Sequence, residues 1–209
     1  MIDLLPVLLG VGLAQAVAVV SPGPSLLVVA RTAVGSTRVA AAWTAVGLGL
    51  GSVVWGLGAL FGLKLLFAAV PWLYTAVKLA GGAYLAWLAI MLWRHARTPL
   101  ATGHGGATPL GQTRLGAVRR GLFTQLANPK VAVFFGSIFV TLLPPDPPAA
   151  FYLALVPMVF AIECGWYLIV AYALSTDRLQ GAYGRLKPTL DRVAGTVLAG
   201  LSVKLVLDR

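Results

Sequence analysis

Charged residues are what this sequence has least of. They make up 11% of 209 residues, against about 25% in an ordinary soluble domain. Hydrophobic residues make up 59%, and the mean hydropathy is +0.88. A soluble globule of this length needs far more polar surface, so much of this one must face lipid. Cysteine is nearly missing: Cys164 stands alone, which excludes an internal disulfide and a thiolate metal site. The two histidines, His95 and His104, fall in a polar loop. No metal site, cofactor or catalytic residue is expected, because neither a ligand cluster nor a nucleophile–base pair can be assembled. Lys and Arg are absent from residues 1–20, so the basic start of a signal peptide is lacking, and the apolar run Leu4–Ala30 is too long for its core. That run reads as a retained membrane helix.

What is present is apolar length. About 20 apolar residues cross the roughly 30 Å of a bilayer core, and six segments meet or approach that. They are Leu4–Ala30, a stretch within Val39–Leu63, Trp72–Trp93, Leu122–Leu143, Ala149–Leu174 and Val193–Leu207. The first is interrupted by Ser21-Pro22-Gly23-Pro24 and the fourth by Asn128-Pro129-Lys130. Thr98–Thr113 reads as a flexible loop, and Thr176–Arg192 as a polar connection or an amphipathic helix lying at the interface. Trp72, Tyr74, Trp87 and Trp93 suit a membrane belt or packing role. The net charge of +10 lies between apolar runs. It fits loops at an anionic leaflet, and no nucleic-acid partner is expected. Eleven of the 16 basic residues fall in the first, third and fifth connections, Lys187 among them. Those connections are expected to face the cytoplasm and both termini the outside.

The two halves resemble each other. Ser21-Pro22-Gly23 matches Asn128-Pro129-Lys130, Trp55 matches Trp166, and Lys78-Leu79-Ala80-Gly81 matches Arg192-Val193-Ala194-Gly195. Three helices per half force the second half to insert upside down, the inverted architecture common among secondary transporters. The expected fold is therefore an all-α integral membrane protein of six transmembrane helices, arranged as two inverted three-helix repeats with helices one and four broken. It forms a single domain, with repeat one at about 1–97, the loop at about 98–116 and repeat two at about 117–209. Each break lies 9 residues from the nearest basic residue on the cytoplasmic side, Arg31 or Arg120. At about 1.5 Å per residue that is roughly 13 Å, near the bilayer midplane.

A proline break frees backbone amides and carbonyls, which lipid tolerates only where protein or water satisfies them again. The candidate substrate-binding residues are Ser21, Pro22, Gly23, Pro24, Ser25, Asn128, Pro129 and Lys130. Freed amides and Lys130 suit a carboxylate, and freed carbonyls suit an ammonium. The plainer alternative is a pair of proline kinks that only shape the helices. Glu163 is the only acid well inside a span, where an unpartnered carboxylate is costly. It stands open as an ion-pair partner of Lys130, as a proton-coupling group, or as a ligand for a substrate ammonium. Gln15 and Gln125 are further polar groups for the cavity. Gly47, Gly49, Gly51, Gly56, Gly58 and Gly62 permit close helix contact, more within the chain than at a dimer face, and a homo-oligomer is left open.

Ser21-Pro22-Gly23-Pro24-Ser25, then Gly47-Leu48-Gly49-Leu50-Gly51, then Lys78-Leu79-Ala80-Gly81-Gly82-Ala83-Tyr84-Leu85, then Asn128-Pro129-Lys130 before Phe134-Phe135 resemble the LysE/RhtB family of bacterial amino-acid exporters over nearly the whole chain. The resemblance implies export of amino acids from the cytoplasm across the inner membrane, driven by the proton motive force. It carries substrate roles onto the residues of both breaks, whereas Glu163 comes from its position alone. The competing readings are an exporter of a cation or another small solute, a non-transporting membrane partner, and a membrane enzyme, for which no converging set of residues exists.

Overall fold

In a computed structural model the chain is described over residues 4–21, 23–69, 72–98, 113–142, 148–175 and 177–207. Pro22 and His104 lie outside these. The described residues form eight helices and no strand: α1 (Leu4–Val20), α2 (Pro24–Gly35), α3 (Arg38–Ala69), α4 (Trp72–His95), α5 (Arg114–Leu126), α6 (Pro129–Leu142), α7 (Ala149–Ala173) and α8 (Asp177–Leu207).

The two expected interruptions are both present. α1 and α2 meet at a 55° bend, with Gly23 extended and Pro24 opening α2, the position where a missing amide costs least. α5 ends at Leu126 and α6 starts at Pro129. Pro157 and Pro188, by contrast, stand inside continuous helices. A proline alone removes one hydrogen bond and kinks; the true breaks have other residues that cap or extend the chain.

Two sequence-based boundaries need correction. The fourth helical stretch starts at Arg114, eight residues before Leu122, because Thr113 caps it by accepting from the Gly116 amide at 3.1 Å. Arg119 and Arg120 are therefore helical. The stretch Thr176–Arg192, expected as a polar connection or an amphipathic helix, is helical from Asp177 and runs unbroken through the last expected span to Leu207. Lys187, expected in a loop, is buried, as is Asp191. Lys187 Nζ donates to Asp191 Oδ2 at 2.7 Å and to the carbonyls of His95 and Ala96 at 3.2 and 3.3 Å. The pair thus fastens α8 to the exposed-carbonyl end of α4, where a cation is favoured.

Among the described residues, the stretch Arg38–Phe61 of α3 and the whole of α7 are each long and apolar enough to cross a membrane, and the bent α1–α2 pair makes a third if it is one span. Large apolar side chains stand on the outside. Leu5, Leu9 and Leu13 line one face of α1, Trp87, Ile90 and Trp93 lie on α4, and Leu153 and Ile169 on α7. Leu153 is 76% exposed, which suits contact with acyl chains rather than water.

Glycines set the closest helix contacts. A Cβ on Gly47 would collide with the Val118 carbonyl of α5, and one on Gly121 with the Thr44 carbonyl of α3. α3 and α5 therefore cross backbone against backbone. Gly51 packs on Gln125 and Gly49 on Phe160, whereas Gly58 has open space. Gly47, Gly49 and Gly51 of α3 thus serve packing within the chain.

Two apolar cores result. One gathers Val11, Leu85, Phe135, Ile138, Leu155 and Val159 from α1, α4, α6 and α7. The other gathers Leu26, Val29, Leu48, Tyr167 and Val170 from α2, α3 and α7. α7 belongs to both, with Val159 in the first and Tyr167 in the second. Glu163 lies one helical turn from each, so the only buried acid of α7 sits at the seam between the cores.

Candidate functional site

The site is assembled at the two breaks. Asn128 precedes α6, and its Oδ1 accepts from the Lys130 amide at 3.1 Å, an N-cap bond that satisfies one of the free amides. Its Nδ2 donates to Ser25 Oγ, in the first turn of α2, at 2.9 Å. One asparagine thus caps one half-helix and holds the start of the other. Lys130 makes the reciprocal link: its Nζ donates to the Ser21 carbonyl, at the end of α1, at 2.8 Å.

Below this junction the polar network continues inward. Ser25 Oγ donates to Gln125 Oε1. Gln125 Nε2 donates to Ser52 Oγ and to Glu163 Oε1, each at 2.6 Å. Gln15 Nε2 donates to Glu163 Oε2 at 3.1 Å and to the Val159 carbonyl at 3.0 Å. Trp55 Nε1 donates to the Gln125 carbonyl at 3.1 Å, which also accepts from the Asn128 amide at 3.1 Å. The chain therefore connects α1, α2, α3, α5, α6 and α7 through side chains that are almost all buried: Gln15, Ser25, Ser52, Gln125, Asn128 and Glu163 are each 5% exposed or less. Buried polar groups hold their place only when partnered, and both Glu163 oxygens are.

Part of this network lines a small, partly open cavity of about 20 Å³, room for about one water. Lys130 and Glu163 both line it, together with Gln15, Gly23, Ser25, Asn128 and Tyr167, and Val131, Phe134 and Phe135 form an apolar wall. Lys130 and Glu163 are not in direct contact. No ion pair joins them: the carboxylate is held by two glutamine amides and the ammonium by a main-chain carbonyl. The cavity thus has a cationic side and an anionic side. That arrangement offers opposite charges to the two ends of a small zwitterion, which would have to widen the cavity to enter.

Of the residues singled out in the sequence, Gln15, Ser21, Gly23, Ser25, Gln125, Asn128, Pro129, Lys130 and Glu163 all come to this junction or border it, Pro24 opens α2, and Pro22 lies outside the described residues. Ser52 and the donor role of Trp55 escape a reading of sequence. Ser52 sits among the glycines of α3, where a small residue signals packing, and only the approach of α5 turns its hydroxyl into an acceptor. Among the described residues no group of three His, Cys, Asp or Glu side chains could hold a metal ion.

Apolar outer surfaces around a buried charged cavity, built where two interrupted helices meet, define a membrane protein with a polar cavity inside its helix bundle. The chain belongs to the LysE type translocator family, whose model matches residues 16–209, a family of transporters rather than enzymes. It is 30% identical to the threonine efflux protein of Escherichia coli K12 over 210 residues, covering 99% of this chain and 100% of that protein. An uncharacterized membrane protein of the same strain, YahN, is 34% identical over 90% of this chain and 83% of its own length. The leucine efflux protein of Enterobacter sp. 638 is 32% identical over 58% of this chain and 56% of its own. No solved structure matches the chain. Amino-acid efflux is therefore supported at the level of the family.

Proposed function

We propose that this protein exports amino acids or close derivatives from the cytoplasm across the bacterial inner membrane, holding each molecule in the cavity between the two breaks. The observation that carries the reading is the double bridge of Lys130 to Ser21 and Asn128 to Ser25 over a cavity that also contains Glu163. The substrate carboxylate lies toward Lys130, and Glu163 serves as the proton-coupling group, so that inward proton movement drives outward transport. The names of the relatives point to neutral amino acids such as threonine and leucine.

The topology goes with this reading. Six spans form from α1–α2, α3, α4, α5–α6, α7 and α8, as two inverted repeats with both termini outside. In support, helices equivalent in the two halves pack on each other, α3 against α7 and α4 against α8, an arrangement compatible with a two-fold axis in the membrane plane. Efflux of labelled threonine and leucine from cells with and without the protein tests the function. An export rate that does not depend on the protein, for any amino acid, would refute it.

A further inference from the structure

Three buried side-chain atoms among the described residues have no hydrogen-bond partner: Gln15 Oε1, Trp166 Nε1 and Arg192 Nε. Of these residues only Gln15 lines the cavity. It is 1% exposed, and the orientation of its amide is fixed. Nε2 faces the Val159 carbonyl and Glu163 Oε2, both acceptors, so turning the amide over would set oxygen against oxygen twice. Oε1 is thus an acceptor that the fold has dehydrated without supplying a donor, a cost that native structures rarely accept without use.

The opposite side of the cavity has the complementary surplus. The Lys130 ammonium carries three hydrogens and gives one to the Ser21 carbonyl. A donor on α6 and an unsatisfied acceptor on α1 thus line the same cavity. We propose that Gln15 Oε1, beside the Glu163 carboxylate, receives the ammonium of the transported molecule and so fixes its orientation, with the ammonium against α1 and α7 and the carboxylate toward Lys130. Gln15 is then a substrate-touching residue and selects for cargo with a free amino group. This rests on the amino-acid reading above. It goes further in assigning one end of the molecule to one atom.

The test uses the full chain in proteoliposomes, with counterflow of each of the twenty standard L-amino acids as probes. For those that the wild type carries, the deamino acid with the same side chain and carboxylate, and hydrogen in place of the amino group, serves as competitor. Gln15→Met should raise the half-saturating concentration of the amino acid by about ten-fold or more and shift competition by the deamino acid by less than about three-fold, because only the amino group donates to Oε1. An unchanged half-saturating concentration, or equal losses for both compounds, would overturn the assignment while leaving amino-acid transport intact. Should the wild type carry no amino acid, the underlying reading falls and the assignment with it. If Gln15→Met does not reach the membrane, Gln15→Asn withdraws the same carboxamide by one methylene and should produce the same selective loss, with the same two outcomes against it.

Discussion

Lys130 Nζ reaches across 109 residues of sequence to the carbonyl of Ser21, at 2.8 Å. That bond joins the start of one half-helix to the end of another and puts a cation where both are interrupted. Lys130→Met removes it and leaves a carbonyl at the break unpaired, at a cost of about 1–3 kcal/mol. The variant should reach the membrane with a lowered melting temperature and fall in efflux by at least about ten-fold. Lys130→Arg keeps the charge but not the compact ammonium that fits beside Gly23, and should not restore transport. Wild-type efflux in Lys130→Met would contradict the role.

Asn128 separates capping from bridging. Asn128→Asp keeps an oxygen for the Lys130 amide but loses the Nδ2 donor to Ser25. Its thermal stability should stay near wild type while transport drops. Asn128→Ala should lose both, with a cap cost of about 1 kcal/mol. Equal transport by wild type and Asn128→Asp would reduce this residue to a helix cap.

Glu163→Gln preserves shape and removes the titratable group. If the carboxyl carries the coupled proton, wild-type efflux increases as the outside is made more acidic than the inside, and the variant loses that dependence. The comparison is efflux from proteoliposomes under imposed pH gradients. An unchanged response excludes Glu163 as the carrier and leaves it as a ligand or a structural anchor.

The Lys187–Asp191 pair makes no hydrogen bond to the cavity network and should behave as a fastener. Asp191→Asn strands a buried ammonium and should destabilise the protein by about 3–5 kcal/mol, whereas Lys187→Met with Asp191→Leu together should cost less than either single change. Melting curves in detergent check this. The α3–α5 crossing makes a parallel case: Gly47→Val drives a methyl into the Val118 carbonyl and should cost more than the usual 1–3 kcal/mol or so of overpacking, since main chain cannot swing aside.

Both breaks could be read from the sequence, because proline beside glycine or asparagine has few other uses in an apolar run. Glu163 could be read too, since an isolated acid in such a run must face inward. The partners of Glu163 could not. Opposite charge suggested Lys130, but the donors are two neutral glutamine amides on helices that only tertiary packing brings to α7. The start of α5 and the first half of α8 were hidden for a related reason. Arg114, Arg119, Arg120, Arg185 and Lys187 report which side of the membrane a segment is on, and say nothing of where its helix ends. α8 passes through Pro188, with the buried Lys187–Asp191 pair on either side of it.

The central claim is that an amino acid occupies the junction of the two breaks. Gly23 borders that cavity, and a Cβ there has room beside Lys130. The direct measurement is the rate of maleimide alkylation of Gly23→Cys in a Cys164→Ser background, with and without saturating amounts of whichever amino acid the wild type exports fastest. The account predicts marked slowing by that amino acid and none by its exported-side competitors that are not carried; an alkylation rate indifferent to the exported amino acid would contradict it.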